Sequence, residues 1–163
     1  MTKQQLILLL KQYKENKARL KLKLREKERI LRQLESIKEV ALKSSSTEIN
    51  SDIRSKNSIS DKVGNYATEN TDKEYDLKLE LNALEQEIIE LNTRIEEIDI
   101  RLDALKYKER EILTAYYIDG CTYEDIGNRV YFKLFSQTRS ERHIRRMIER
   151  CTDKILELRL EMS

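Results

Sequence analysis

Leu77, Leu81, Leu84, Ile88, Leu91, Ile95, Ile98, Leu102 and Leu105 follow one another at alternating spacings of four and three, without a break. A repeat of 3.5 residues holds one apolar seam along an α-helix for about four heptads. A strand would need a period of two. Residues 73–106 therefore read as a long helix that must bury its seam against another helix. Taking Leu81, Ile88, Ile95 and Leu102 as the a positions puts Leu77, Leu84, Leu91, Ile98 and Leu105 at d. Isoleucine-rich a with leucine-rich d favours two strands.

Little in the rest of the chain opposes helix. Over 163 residues there is no proline, only three glycines and no tryptophan, while charged residues make up 38%. That composition predicts an all-α protein with a narrow core. Residues 1–43 read as a basic N-terminal helix. Its stripe is Leu6, Leu10, Tyr13, Leu20, Leu24, Leu31, Leu34 and Ala41, interrupted by Lys17, Lys27 and Lys38. Residues 44–72, from Ser44-Ser-Ser-Thr47 to Asn70-Thr71, lose any period and read as a polar flexible linker, with a short helix near Ser51–Lys56.

Charge separates along the chain. Residues 1–43 hold 13 basic and 5 acidic side chains, net +8, and residues 44–104 hold 7 and 15, net −8. Two pairings are open to the heptad helix. It can fold back antiparallel on the basic helix as a coiled-coil hairpin, where the charges are complementary. It can instead pair with itself in a homodimer, where like charges approach. The basic helix also offers an electrostatic footprint for nucleic acid, against the plainer reading of a solvated face that complements its partner.

Residues 107–163 carry a different pattern. Ile112, Leu113, Tyr116 and Tyr117 form the apolar face of one helix, which Asp119-Gly120 ends. Thr122 caps a second helix, with Asp125 three residues on, and Tyr123, Ile126 and Val130 as its apolar face. Gly127 inside it implies an approach too close for a Cβ, by a crossing helix. After the connection Tyr131–Arg139, Ser140 caps a third helix backed by Ile144, Met147, Ile148, Cys151, Ile155 and Leu158. Arg142 and Arg146 project from its front at i, i+4 spacing, with Arg145 on one edge and His143 and Arg150 on the other. A helix with an apolar back and an arginine-rich front suits the DNA major groove, where the guanidinium fork reads guanine or grips phosphate. Lys133 and Arg139, just upstream, suit phosphate contacts that set register.

The segment Tyr107–Ile155 resembles sigma-70 region 4. Thr122-Tyr-Glu-Asp-Ile-Gly-Asn-Arg-Val130 resembles that family's second helix, and Ser140-Glu-Arg-His-Ile-Arg-Arg-Met147 its recognition helix, with Cys151 at the small-residue position one turn on. In order of elements, the whole chain resembles phage and prophage transcription regulators of the RinA/ArpU type. The resemblance implies double-stranded DNA as partner, RNA polymerase as a further one, and Ser140, Arg142, His143, Arg145 and Arg146 at the cap and groove-facing positions. The connection Tyr131–Arg139 is longer than the family's short turn.

Other classes lack their parts. There is no phosphate-cradling glycine loop, no metal-ligand motif and no nucleophile beside the lone His143, so neither an enzyme nor a cofactor or metal site is expected. Two cysteines, Cys121 and Cys151, read as small reduced residues. The run Leu6–Leu10 is too short to span a bilayer and is followed by no leader cleavage signal, so no membrane partner and a cytoplasmic location are expected. Two alternatives to a transcription regulator stand: a small-terminase-like packaging factor working as a ring, and a coiled-coil adaptor that binds no DNA.

Overall fold

The computed structural model describes the backbone of residues 1–46 and 60–158 and the side chains of residues 1–40 and 70–158. Among these the chain is all helical, with no strand. The elements are α1 (Lys3–Ser46), α2 (Ser60–Asp103), α3 (Tyr107–Tyr117), α4 (Tyr123–Asp125), a π-helical turn (Ile126–Val130), α5 (Tyr131–Phe135) and α6 (Glu141–Glu157). The side chain of Ala41, residues 47–59 of the linker and the short helix expected near Ser51–Lys56 lie outside the described residues. Residues 60–71 differ from their reading as linker, because α2 already begins at Ser60. They lack an apolar period, but polar residues propagate an established helix, and Gly64 costs it only about 1 kcal/mol.

The chain divides into two compact units, Leu20–Glu90 and Met1–Arg19 with Leu91–Ser163. In the first, Ile30, Leu34 and Leu84 are buried, with Leu77, Leu81 and Ile88 packed against them. Lys23 Nζ lies 2.9 Å from Glu87 and Lys27 Nζ 2.7 Å from Glu85, so rising numbers on α1 meet falling numbers on α2. The seam of α1 here runs Leu20, Lys23, Lys27, Ile30, Leu34 and Ile37, each buried or half-buried. Leu24 and Leu31, assigned to the stripe from sequence, are exposed (44% and 39%). Two lysines take seam positions in their stead, since a lysine stem can lie on apolar surface while its ammonium reaches a carboxylate.

The second unit is wider than residues 107–163. Leu6 and Leu10 of α1, and Ile98 and Leu102 of α2, join Leu105, Ile112, Leu113, Ile126, Ile144, Ile148 and Ile155 in one core. Arg101 is buried there (5% exposed) and its Nη1 donates to the carbonyls of Ile155 (2.5 Å) and Leu158 (3.2 Å). It thereby satisfies carbonyls that the end of α6 leaves without helical partners. Tyr13 donates its hydroxyl to Asp99, and the two side chains link α1 to α2. At the start of α3, the Glu109 carboxylate accepts from the Lys106 amide (3.1 Å) and from Lys154 Nζ (2.9 Å). The Lys154 ammonium and the backbone donor hold its pKa below the ordinary carboxylate value.

Candidate nucleic-acid interface

The chain reversal between α3 and α4 follows from local chemistry. Gly120 has φ +71°, and the Cys121 amide then returns to the Ala115 carbonyl at 2.9 Å. Thr122 takes the cap position in extended conformation. Its Oγ1 accepts from the Asp125 amide (3.1 Å) and donates to the Asp125 carboxylate (2.8 Å). Both match the reading from sequence.

From Tyr123 to Phe135 the chain is helical throughout, with the π turn in its middle. The segment Tyr131–Arg139 is thus not one long connection. Tyr131 is buried and its ring stacks on Phe135 at 4.3 Å, an i, i+4 pair that prolongs the helix. Ser136 then ends it in left-handed conformation, φ 56°.

The glycine inside this helix fixes where α6 begins. A Cβ at Gly127 would stand 2.3 Å from the Arg139 carbonyl oxygen. The Arg139 amide donates to the Gly127 carbonyl at 3.3 Å. The expectation of a crossing helix at this glycine is corrected: the approaching group is the backbone just ahead of α6. Ser140 has the backbone of a cap, and its carbonyl accepts from the His143 amide (2.9 Å) and the Ile144 amide (3.1 Å). Its hydroxyl makes no capping bond, contrary to the sequence reading.

One side of α6 is buried through Ile144, Ile148, Cys151, Thr152 and Ile155. Burial pushes the Cys151 thiol up to about 11, so it stays an uncharged, packed side chain. Thr152 was not foreseen in this face; its hydroxyl donates to the Ile148 carbonyl at 2.8 Å, which lets a polar side chain sit in the core.

The residues expected to meet DNA, Lys133, Arg139, Ser140, Arg142, His143, Arg145, Arg146 and Arg150, are all exposed. Seven of them gather at the start and along α6. Arg145 lies over the Tyr123 ring, 5.1 Å from its centre. Arg139 lies 5.8 Å from the centre of the Tyr131 ring, and the His143 ring meets Tyr131 edge-on at 5.9 Å. Tyr123 is held in turn by stacking on Tyr116 at 4.7 Å and by a hydroxyl–hydroxyl bond of 2.7 Å. That bond, with burial, raises the Tyr116 phenol to about 12. Among the described residues, Arg142, Arg146 and Arg150 form no ion pair. Lys133 does not join this group. It lines a hollow with Tyr107, Glu111, Cys121 and Arg129, on the α3 side of the helix.

The front of α6 changes sign along its length. Glu149 follows Arg142 and Asp153 follows Arg146, each at i+7, and Asp153 pairs with Lys3 at 2.5 Å. The cations of this front are thereby concentrated in the N-terminal half, with Arg150 on the edge beyond them, and the free amides of the first turn add positive potential there. The sequence reading missed Tyr123 and Tyr131 as supports for the cations. The Tyr131/Phe135 spacing was the available signal.

Among the described residues no cluster of three or more His, Cys, Asp or Glu is placed to hold a metal ion, and no helix is long and apolar enough to cross a membrane. No protein-family model, curated protein or solved structure matches this chain.

Proposed function

We propose that the chain is a sequence-specific, double-stranded-DNA-binding transcription regulator. In this reading α3, the α4–α5 helix and α6 form a sigma-70 region 4-like helix-turn-helix. The α1–α2 pair is a helical hairpin that stiffens the molecule and offers a surface to RNA polymerase. The resemblance to RinA/ArpU-type regulators supports a phage or prophage role, inside the cell that hosts the DNA.

One observation carries the proposal. Arg142 and Arg146 stand exposed and, among the described residues, without ion pairs, on a helix whose opposite face is packed into a core and whose preceding backbone is pinned at Gly127. Unpaired guanidinium groups on a firmly seated helix suit base reading in a major groove, because a fork that must first be released from an ion pair or ordered loses affinity. Arg145, Arg139 and His143, braced on tyrosine rings, suit phosphate contacts that set register.

Selection of bound duplexes from a random pool, followed by titration of the winning sequence, tests this. Arg142→Ala or Arg146→Ala should weaken the selected duplex by about 1–3 kcal/mol and relax preference at one base position. Equal affinity of the parent chain for every duplex would overturn the reading.

A further inference from the structure

The basic character of α1 exceeds what its partner helix uses. In the unit Leu20–Glu90, Lys23 and Lys27 turn inward and meet Glu87 and Glu85. Lys21, Arg25, Arg29 and Arg32 do not. All four are exposed, and their spacing places them within about 80° of one another around the helix and along roughly 16 Å of its length. Among the described residues Arg29 reaches only Glu26, at 3.9 Å, and Arg32 only Glu28, at 4.0 Å, both on α1 itself. No acidic side chain between positions 21 and 32 falls inside that arc, and Glu28 flanks it about 20° from Lys21. Separations this long between exposed groups hold the arginines weakly.

The residue types differ between the two faces. The inward cations are lysines, whose stems fill seam positions. Three of the four outward ones are arginines, whose planar fork suits phosphate oxygens. Complementarity to α2 accounts for the first set and leaves the second unexplained.

We infer that the outer stripe Lys21, Arg25, Arg29 and Arg32 is a second nucleic-acid contact, which grips the phosphate backbone of duplex DNA without reading its sequence. It rests on the DNA-binding reading of α6 and adds to it a sequence-independent share of the affinity. Its side chains are long and exposed, and among the described residues no neighbouring element packs beside them to fix them for base reading. Its contribution is therefore electrostatic and is read by salt.

The test compares the full chain with its Lys21→Gln/Arg25→Gln/Arg29→Gln/Arg32→Gln variant, binding a random-sequence duplex and the selected one over a range of salt. The logarithm of the binding constant falls with the logarithm of salt by about 0.9 per phosphate neutralised, so the slope should shrink by roughly 3 to 4 for both duplexes. Preference for the selected sequence should stay. The variant Arg25→Lys/Arg29→Lys/Arg32→Lys keeps the charges and should keep most of the slope. Should the fourfold variant not fold, Lys21→Gln/Arg25→Gln and Arg29→Gln/Arg32→Gln should each remove about half of the effect. Slopes unchanged to within about one unit in variants that fold would overturn the inference while leaving the α6 reading intact. A parent chain that binds no duplex at all, even at low salt, would overturn both.

Discussion

At the scale of single residues, Gly127 decides most. Its Cα hydrogen faces the Arg139 carbonyl oxygen, and a methyl there would sit 2.3 Å away. A backbone carbonyl cannot swing aside as a long side chain can. Gly127→Ala should destabilise the chain by about 1–3 kcal/mol, even though alanine favours helix by about 1 kcal/mol, because overpacking against backbone outweighs propensity. A urea melt decides it, and a neutral or stabilised variant would show that the approach is soft. Ser136 is the reverse case. With φ 56° it holds a conformation that glycine adopts freely. Ser136→Gly should gain on the order of 0.5–1 kcal/mol and Ser136→Val should lose stability, both read as shifts in melting temperature. The sequence announced a close approach at Gly127 but not what approaches, because the path of a connection has no period to read. Ser140 was legible as a cap position from its place ahead of the helix. Whether its hydroxyl bonds the first turn depends on a rotamer that the sequence does not encode.

At the scale of elements, α2 was legible because one seam of aliphatic residues repeats without interruption. The partner face of α1 was not. Leucines at 20, 24, 31 and 34 suggested one stripe, while the buried one passes through Lys23, Lys27 and Ile30. Reading hydrophobicity alone discards lysine from a seam, although its aliphatic stem packs well beside a helix that supplies the carboxylates. The two registers differ by one residue, so neighbours separate them. Ile30, fully buried, should cost about 2–5 kcal/mol when changed to alanine, and Leu31, exposed, less than about 0.5 kcal/mol. Far-ultraviolet circular dichroism against denaturant compares the two. Equal losses would put the seam back on the leucines. The helix from Tyr123 to Phe135 teaches a related lesson. Its second half looked like a connection because Val130-Tyr-Phe breaks the apolar period of the first half. A π turn shifts the phase there, so Tyr131 returns to the core where a regular helix would carry it past.

At the scale of the whole molecule, the three-helix set at the C-terminus does not close its own core. Leu6 and Leu10 from the start of α1 are fully buried with Ile112, Ile144 and Ile155, and Lys3 holds Asp153 on α6. Local periodicity marks which residues must be buried, but not which distant segment buries them, and so residues 107–163 read from sequence as self-contained. Their apolar faces need the first turns of α1 as cover. Leu10→Ala should therefore cost about 2–5 kcal/mol in the unit that carries α6, far from α6 in sequence. Six of the eight tyrosines (Tyr13, Tyr107, Tyr116, Tyr117, Tyr123 and Tyr131) belong to this unit, so near-ultraviolet dichroism during a denaturant melt reports on it selectively. The midpoint should move to lower denaturant, and DNA affinity should fall near the new midpoint as the folded fraction drops. Arg142→Ala should instead leave the melt in place and weaken binding at every denaturant concentration. A Leu10→Ala chain whose tyrosine melt is unshifted would mean that the C-terminal helices form a core of their own, with α1 as an accessory to it.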